Sequence, residues 1–237
     1  MIKTNLINQK TRKLWNEYAD NNDLIPGAYS NVKKNSLLFI GINPSDSVKN
    51  FNKIISGTQY QYLNFPQDYL WGNHHNLKLK TVLAIEELAR TKADYFRKLQ
   101  DISDDVNKDW EHVDLFFIRE KSQKKLKDKI LSQKNNEYSL SDFAKQQLNI
   151  NYSLIKKIEP ICILVNNAYA SKLIRYFYSN DLSEFDEEIG TYKLAINEHT
   201  KVPIIFSCVL DGARHIDIGS YERLKWQVRY IFKKLTI

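Results

Sequence analysis

The sequence predicts an α/β fold with three layers, α/β/α, in which helices cover both faces of a central four-stranded parallel sheet. Two observations lead to this prediction. Four short apolar runs lack polar alternation, which is typical of strands buried on both faces, and helical patterns separate these runs along the chain. Because strands alternate with helices, we expect the sheet to be parallel.

The predicted strands are distributed over most of the chain. The four apolar runs occupy residues 36–42, 113–118, 161–165 and 203–208. A further segment, residues 191–197, alternates polar and apolar side chains shortly before the last run. Alternation is typical of a half-buried strand, so this segment predicts one extra strand at an edge of the sheet.

Apolar residues at helical spacing predict the helices between these strands. They cover residues 79–99 and 140–158, and a third helix over 168–178 follows the third strand directly. The last helix is the clearest, because its apolar residues from Tyr221 onward fall on a single stripe. Ser220 is predicted to be its N-cap.

The composition favours one folded domain over residues 1–237. The chain contains 7 Gly and 5 Pro, too few for a disordered or loop-dominated protein, and 43% of its residues are hydrophobic. No segment approaches the roughly 18 apolar residues of a membrane span, so we expect no membrane contact and a cytoplasmic location. Cys162 and Cys208 lie in apolar runs and are predicted to be buried, with no disulfide framework or zinc site.

The net charge of +7 favours a polyanionic partner. Basic residues outnumber acidic ones in residues 119–134 and again from residue 201 to the end. Both segments include the carboxyl end of a predicted strand or the residues just beyond it, and ligands bind at these ends in open parallel sheets. The positive charge is therefore expected to face the site, the alternative being ordinary solvated helix faces.

The first segment with chemistry in it is Gly-Ile-Asn-Pro-Ser at residues 41–45. Gly41 permits close approach to a ligand, and Pro44 fixes the chain direction after Asn43. Asn43 is therefore predicted to face a ligand, or alternatively to cap the following helix. The sequence has neither GxGxxG nor GxxxxGK[ST], so dinucleotide and nucleoside-triphosphate sites lack their phosphate-binding motif.

The second such segment joins the fourth predicted strand to the last helix, over residues 208–224. Arg214 and His215 are its candidates for contact with phosphate or a nucleic-acid groove. In the alternative, Arg214 pairs with Asp211 or Asp217 and orders the loop. His74 and His75 are adjacent with no nearby carboxylate cluster, which disfavours a metal site and favours phosphate or base contacts.

Together these segments resemble the uracil-DNA glycosylase superfamily. GINPS at residues 41–45 resembles the first motif of its mismatch-directed and single-strand-selective branches. LDGARHIDIGSYERL at 210–224 occupies the place of the second motif. IKKIEPICILVNNAYASKLI at 155–174 resembles the third strand and the helix after it. The resemblance covers nearly the whole chain in order, although each motif is short.

The resemblance implies a monofunctional DNA glycosylase, expected to be a monomer, that flips out a base and hydrolyses its bond to deoxyribose without a metal or organic cofactor. Asn43 would position the attacking water, and His215 is the second catalytic candidate. The residues expected to contact the base are Ile42, Phe65, Tyr69, Arg119, Glu120 and Asn166. The residues expected to contact DNA are Ser45, Lys121, Asn167, Gly212, Arg214 and Ser220.

Two departures from the family pattern leave the substrate open. Arg119 and Glu120 stand where the best-known branch has an asparagine that reads uracil. Residues 208–210 replace the usual His-Pro-Ser or Asn-Pro-Ser, so Arg214 or His215 would have to stabilise the leaving group. The expected base is therefore uracil-like or modified, extending to a bulky hypermodified cytosine of phage DNA, in which case the enzyme would act in antiviral defence rather than DNA repair.

Two alternatives belong to other functional classes. Loss of the usual second motif favours a catalytically inactive nucleic-acid-binding protein of the same fold, whereas the intact turn at 41–44 disfavours it. A metal-dependent nuclease would need converging carboxylates. The acidic residues between 101 and 109 are predicted instead to form a solvated loop.

Overall fold

The computed structural model describes residues 1–45, 47–210 and 216–235. Their strands form one sheet in the order β2-β1-β3-β5-β4. The strands are β1 (Leu37–Gly41), β2 (Trp110–Asp114), β3 (Cys162–Val165), β4 (Tyr192–Ala195) and β5 (Lys201–Phe206). β4 pairs antiparallel with β5, and the other pairings are parallel. The predicted α/β class, the parallel sheet and the added edge strand are confirmed.

Helices surround this sheet. They are α1 (Asn5–Tyr18), α2 (Val48–Ile55), α3 (Leu79–Lys92), α4 (Arg97–Asp105), α5 (Gln123–Ile130), α6 (Asp142–Ile158), α7 (Ala168–Phe177) and α8 (Ile218–Leu235). Within the described ranges, no helix is both long and apolar enough to cross a membrane.

Burial on both faces of the sheet explains the apolar runs. Every residue of β1 is buried, and its side chains divide between two clusters of core residues. Leu38 and Ile40 belong to the larger cluster, whereas Leu37 and Phe39 belong to the smaller one, which includes residues of α4 and α8. Since both faces are covered, neither set of alternating positions needs polar side chains.

The second strand is displaced from its predicted position. It begins at Trp110 and ends at Asp114, whereas the apolar run predicted residues 113–118. Its polar residues have partners from distant segments: Glu111 accepts a hydrogen bond from Arg90 at 2.7 Å. Beyond the strand, Leu115 and Phe116 still donate backbone hydrogen bonds to Gly41 and Ile42. Apolar character therefore marked burial here, not the limits of the strand.

Two predicted helix boundaries are wrong. The helix predicted over 79–99 is broken after Lys92, where the extended backbone of Ala93 separates α3 from the segment leading into α4. At the start of α8, Ser220 lies inside the helix. Its N–H and hydroxyl both donate to the carboxylate of Asp217, at 2.9 and 2.6 Å, so Asp217 supplies the cap.

Two further local predictions fail because distant partners intervene. Residues 101–105 are helical rather than a solvated loop, and Asp101 accepts a hydrogen bond from Tyr221 of α8 at 2.6 Å. Cys208 is exposed, because β5 ends before it, whereas Cys162 is buried as predicted.

Candidate active site

The carboxyl ends of β1, β2 and β3 lie side by side. Gly41 is in register with Asp114, and Ile40 is in register with Val165. The backbone N–H of Asn166 donates to Ile40 O at 3.0 Å, so the chain after β3 stays close to the chain after β1. This edge therefore brings together the turn at 41–45 and the asparagine that follows β3, two of the segments singled out by sequence.

The amide of Asn43 is held by carbonyl groups. Its Nδ2 lies 3.0 Å from Pro44 O, 3.0 Å from Ile118 O and 2.6 Å from Glu120 O. Only the NH₂ end of an amide can face carbonyl oxygens, so this arrangement defines the direction of Oδ1. Among the described residues, no donor hydrogen-bonds to Oδ1. The half-buried side chain therefore offers a fixed acceptor.

The turn that carries Asn43 is held by neighbouring backbone. Glu120 donates its N–H to Pro44 O at 3.1 Å, and a Cβ on Gly27 would lie 2.9 Å from Pro44 Cγ. The alternative capping role of Asn43 is wrong, because Ser47 caps α2 by accepting from Asn50 N at 3.0 Å. The Asn43 amide therefore does not cap α2.

Asn166 is a second fixed amide at the same edge. Asn166 is buried, with 2% of its surface exposed, and its Nδ2 donates to Tyr95 Oη at 2.8 Å. Within the described part of the chain, its buried Oδ1 has no hydrogen-bond partner. An unsatisfied buried acceptor costs about 1–3 kcal/mol, so this oxygen is a position where a ligand N–H would be stabilised.

Tyr95 links Asn166 to His112. The tyrosine hydroxyl lies 3.2 Å from His112 Nε2. Burial, with a smaller contribution from the charge of Arg90, lowers the pKa of His112 to about 3, so the ring is neutral at pH 7. A neutral Nε2 can accept a hydrogen bond donated by the Tyr95 hydroxyl, and the hydroxyl oxygen in turn accepts one from Asn166 Nδ2. This chain of hydrogen bonds orients the Asn166 amide.

Asp114 lies beside this chain, and its position requires Gly41. Its Oδ1 is 3.8 Å from His112 Nε2, a contact that is not an ion pair because His112 is neutral. A Cβ at Gly41 would collide with the Asp114 carboxylate. Sequence reasoning missed Asp114, His112 and Tyr95. The one available signal was an acidic residue, Asp114, inside an apolar run.

Three residues predicted to contact the base lie in the core instead of at this edge. Arg119 donates from Nε to Ile25 O at 3.1 Å and forms an ion pair with Glu86. Phe65 and Tyr69 are 5% and 1% exposed and pack against Phe51. In this conformation Phe65 and Tyr69 contribute to core packing, which is the usual role of an aromatic cluster. Arg119 orders the backbone around Ile25.

The other predicted contacts have varied surroundings. Glu120 contributes its carbonyl to Asn43, and its carboxylate accepts from Ser122 N at 3.0 Å. Asn167 caps α7 by accepting from Tyr169 N and Ala170 N. Ile42 is half-buried, and Ser45 and Lys121 are exposed. The predicted DNA contact of Ser220 competes with its bonds to Asp217.

The remaining predicted residues of the loop before α8 lie outside the described residues. They are Gly212, Arg214 and His215. The proposed pairing of Arg214 with Asp211 lies outside them too. Their roles stay predictions.

The positive charge near the site is concentrated before and within the first turn of α5. Lys121, Lys124 and Lys125 are exposed and form no ion pair with a described residue. By contrast, Lys127 pairs with Glu137, and Lys129 pairs with Asp23. The free charge of the basic segment 119–134 is therefore found next to Glu120, at the candidate site.

Comparisons with known proteins add no assignment. No model of a known protein family matches this chain, and no curated protein matches it either. Within the described ranges, no three His, Cys, Asp or Glu side chains are grouped so as to hold a metal ion.

Proposed function

We propose that the protein is a monofunctional DNA glycosylase that flips a uracil-like or modified pyrimidine out of DNA and hydrolyses its bond to deoxyribose. The observation that carries this proposal is the pair of amides at the ends of β1 and β3. Asn43 and Asn166 each have an NH₂ group held by the protein and an Oδ1 without a described donor.

Asn43 would orient the attacking water. An amide oxygen is a weak base, but it can accept a hydrogen bond from water and direct the water's lone pair toward the anomeric carbon. Cleavage of the glycosidic bond develops positive charge on the sugar, so positioning and electrostatics can supply the acceleration. The carbonyl groups around Nδ2 prevent the amide from rotating, which keeps the water in one place.

Asn166 would hold the flipped base. Its buried Oδ1 is an acceptor, and pyrimidines offer a suitable donor: uracil has N3–H, and cytosine has its exocyclic N4–H₂. A bound base would satisfy this oxygen and offset its desolvation. Because both bases can supply the donor, the proposal covers uracil and modified cytosines, including the hypermodified cytosines of phage DNA.

Surface features support a contact with DNA. Lys121, Lys124 and Lys125 offer unpaired positive charge beside the site, suited to phosphates. Ile218, at the start of α8, is 83% exposed. Apolar side chains of this kind insert between base steps when proteins distort DNA, so Ile218 is suited to fill the gap left by a flipped base.

An abasic-site assay tests the proposal. The protein is incubated with uracil-containing DNA, unmodified DNA and phage DNA carrying modified cytosine, and alkali then reveals abasic sites. We expect cleavage only after alkali, on one of the modified substrates. Replacing Asn43 with Ala should slow excision by about 100-fold or more while DNA binding persists. Asn52→Ala, which removes an exposed amide on α2, is the matched control.

Three outcomes would contradict the proposal. Binding without abasic sites on any substrate would indicate a nucleic-acid-binding protein without catalysis. Strand cleavage before alkali would indicate a nuclease or a lyase. Full activity of Asn43→Ala would remove the role assigned to that amide.

A further inference from the structure

A second feature suited to an anion lies between α1 and the turn Trp71–Asn73. It is a cleft of about 410 Å³. Its polar and aromatic lining consists of Arg12, Asn16, Trp71, His74, His75 and Lys78. No carboxylate is found among these lining residues, although the chain as a whole contains 28 Asp and Glu. The charged residues that line the cleft, Arg12 and Lys78, are therefore all basic.

Arg12 is a partly buried cation in this cleft. Its side chain is half-buried, and burial lowers its pKa. In the described part of the chain it forms neither an ion pair nor a side-chain hydrogen bond. Partial burial of a guanidinium is unfavourable unless an anion or acceptors compensate it. A phosphate would do so, because its oxygens match the paired N–H groups of arginine.

The rings of the cleft are in contact with one another, Trp71 stacked on His74 and His75 tilted by 40° against His74. Trp71 and His74 are parallel within 10° with centroids 4.0 Å apart, and His75 lies 3.8 Å from His74. His74 Nδ1 contacts the carbonyl oxygen of Trp71, which can only accept, so Nδ1 carries a proton and donates it to this hydrogen bond. Nε2 takes no part in that contact. Lys78 and Asn16 are exposed, where they can reach a ligand entering from solvent.

We propose that this cleft binds a backbone phosphate of a nucleic-acid strand, with Arg12 and Lys78 as its cationic contacts. The site would extend the protein's hold on nucleic acid beyond the sheet edge. The inference draws on the proposed DNA partner but does not require base excision.

The test measures binding of a fluorescent duplex oligonucleotide over a series of salt concentrations, in the Asn43→Ala background. The plot of log affinity against log salt has a negative slope, and each lost phosphate contact reduces the magnitude of that slope by about 0.9. We expect that reduction for Arg12→Gln and again for Lys78→Gln. Lys13→Gln removes an exposed charge from the same helix outside the cleft, and its slope should match the parent.

Two results would overturn the assignment. If Arg12→Gln and Lys78→Gln both keep the parent slope, the cleft does not contact the strand. If inorganic phosphate or dCMP binds in an Arg12-dependent way while oligonucleotide binding is unaffected, the cleft serves a small phosphate ligand instead. Lys78 is exposed, so its variant reports on binding even where Arg12→Gln fails to fold. Since the background lacks the proposed catalytic amide, failure of excision does not affect the result.

Discussion

At the scale of single residues, the two amides of the candidate site are oriented by different means. Asn43 faces backbone carbonyls of its own turn and of the segment after β2. Asn166 depends on side chains, because Tyr95 and His112 form its support. With His112 neutral, the Tyr95 hydroxyl can donate to its Nε2, so ionisation of this one ring would change the hydrogen bond that supports Asn166.

The neutral state of His112 should make folding stability depend on pH. Its pKa falls from 6.5 to about 3 in the folded protein, so the unfolded chain takes up a proton that the native state excludes. This contribution is complete above about pH 6.5 and is lost as pH falls toward 3. Between pH 7 and pH 5, wild type should lose about 2 kcal/mol more stability than His112→Gln. Urea unfolding at both pH values measures the difference.

Equal losses in the two proteins would contradict this assignment. Hydrogen bonds from Tyr221 and Lys225 hold the pKa of Asp101 below its usual value, and those from Lys127 and Lys172 do the same for Glu137; both carboxylates are present in both proteins. They therefore cancel in the comparison.

At the scale of elements, α5 has an arrangement that helix stability does not explain. Lys124 and Lys125 lie in its first turn, where the helix dipole disfavours positive charge. Ser122 caps the helix by accepting from Lys125 N at 3.3 Å. Under the proposed function, these exposed lysines beside the candidate site would contact phosphates of DNA.

Replacing Lys121, Lys124 and Lys125 together with Gln should weaken DNA binding without lowering stability. If each contacts a phosphate, the slope of log affinity against log salt falls by about 2.7 in total. The matched control is Lys225→Gln with Arg229→Gln, because these basic residues of α8 pair with Asp101 and Asp105 of α4. The control should change unfolding more than binding. DNA titrations over a series of salt concentrations and urea unfolding are measured for both variants. An unchanged slope for the triple variant would exclude α5 from the interface.

At the scale of the whole molecule, one sheet serves two core clusters. Trp15 belongs to the larger cluster, and Trp110 packs against the smaller one. Adjacent residues of β1 contribute to opposite clusters, so loss of either cluster removes the packing partners of two side chains of that strand. The two clusters should therefore unfold together.

This coupling predicts a single cooperative unfolding transition. Variants that keep either Trp15 or Trp110 as the only fluorescent tryptophan report on opposite faces of the sheet. Their urea midpoints should coincide with each other and with the midpoint from far-UV circular dichroism of the same variant. Separate midpoints for the two faces would contradict the expectation of one domain over residues 1–237.

Sequence reasoning succeeded where local pattern reflects burial. The strands β1, β3 and β5 were found because both of their faces are covered. Asn43 was selected from its position after β1 and Asn166 from the family resemblance, and their roles in a site stay predictions. The start of β2 was missed because Glu111 and His112 are polar, and their partners Arg90 and Tyr95 come from other elements. Asn166 and Tyr95 are 71 residues apart, a pairing that no local pattern predicts.

The sequence by itself determined the α/β class, the parallel sheet, its edge strand and the placement of two asparagines at strand ends. Hydrophobic periodicity records which residues are buried, and burial follows from local composition. Only the tertiary structure decided that Arg119 is buried against Glu86, that His112 is neutral, and that the Asn166 oxygen lacks a described partner. These properties depend on desolvation and on contacts between distant segments, which exist only once the chain is packed.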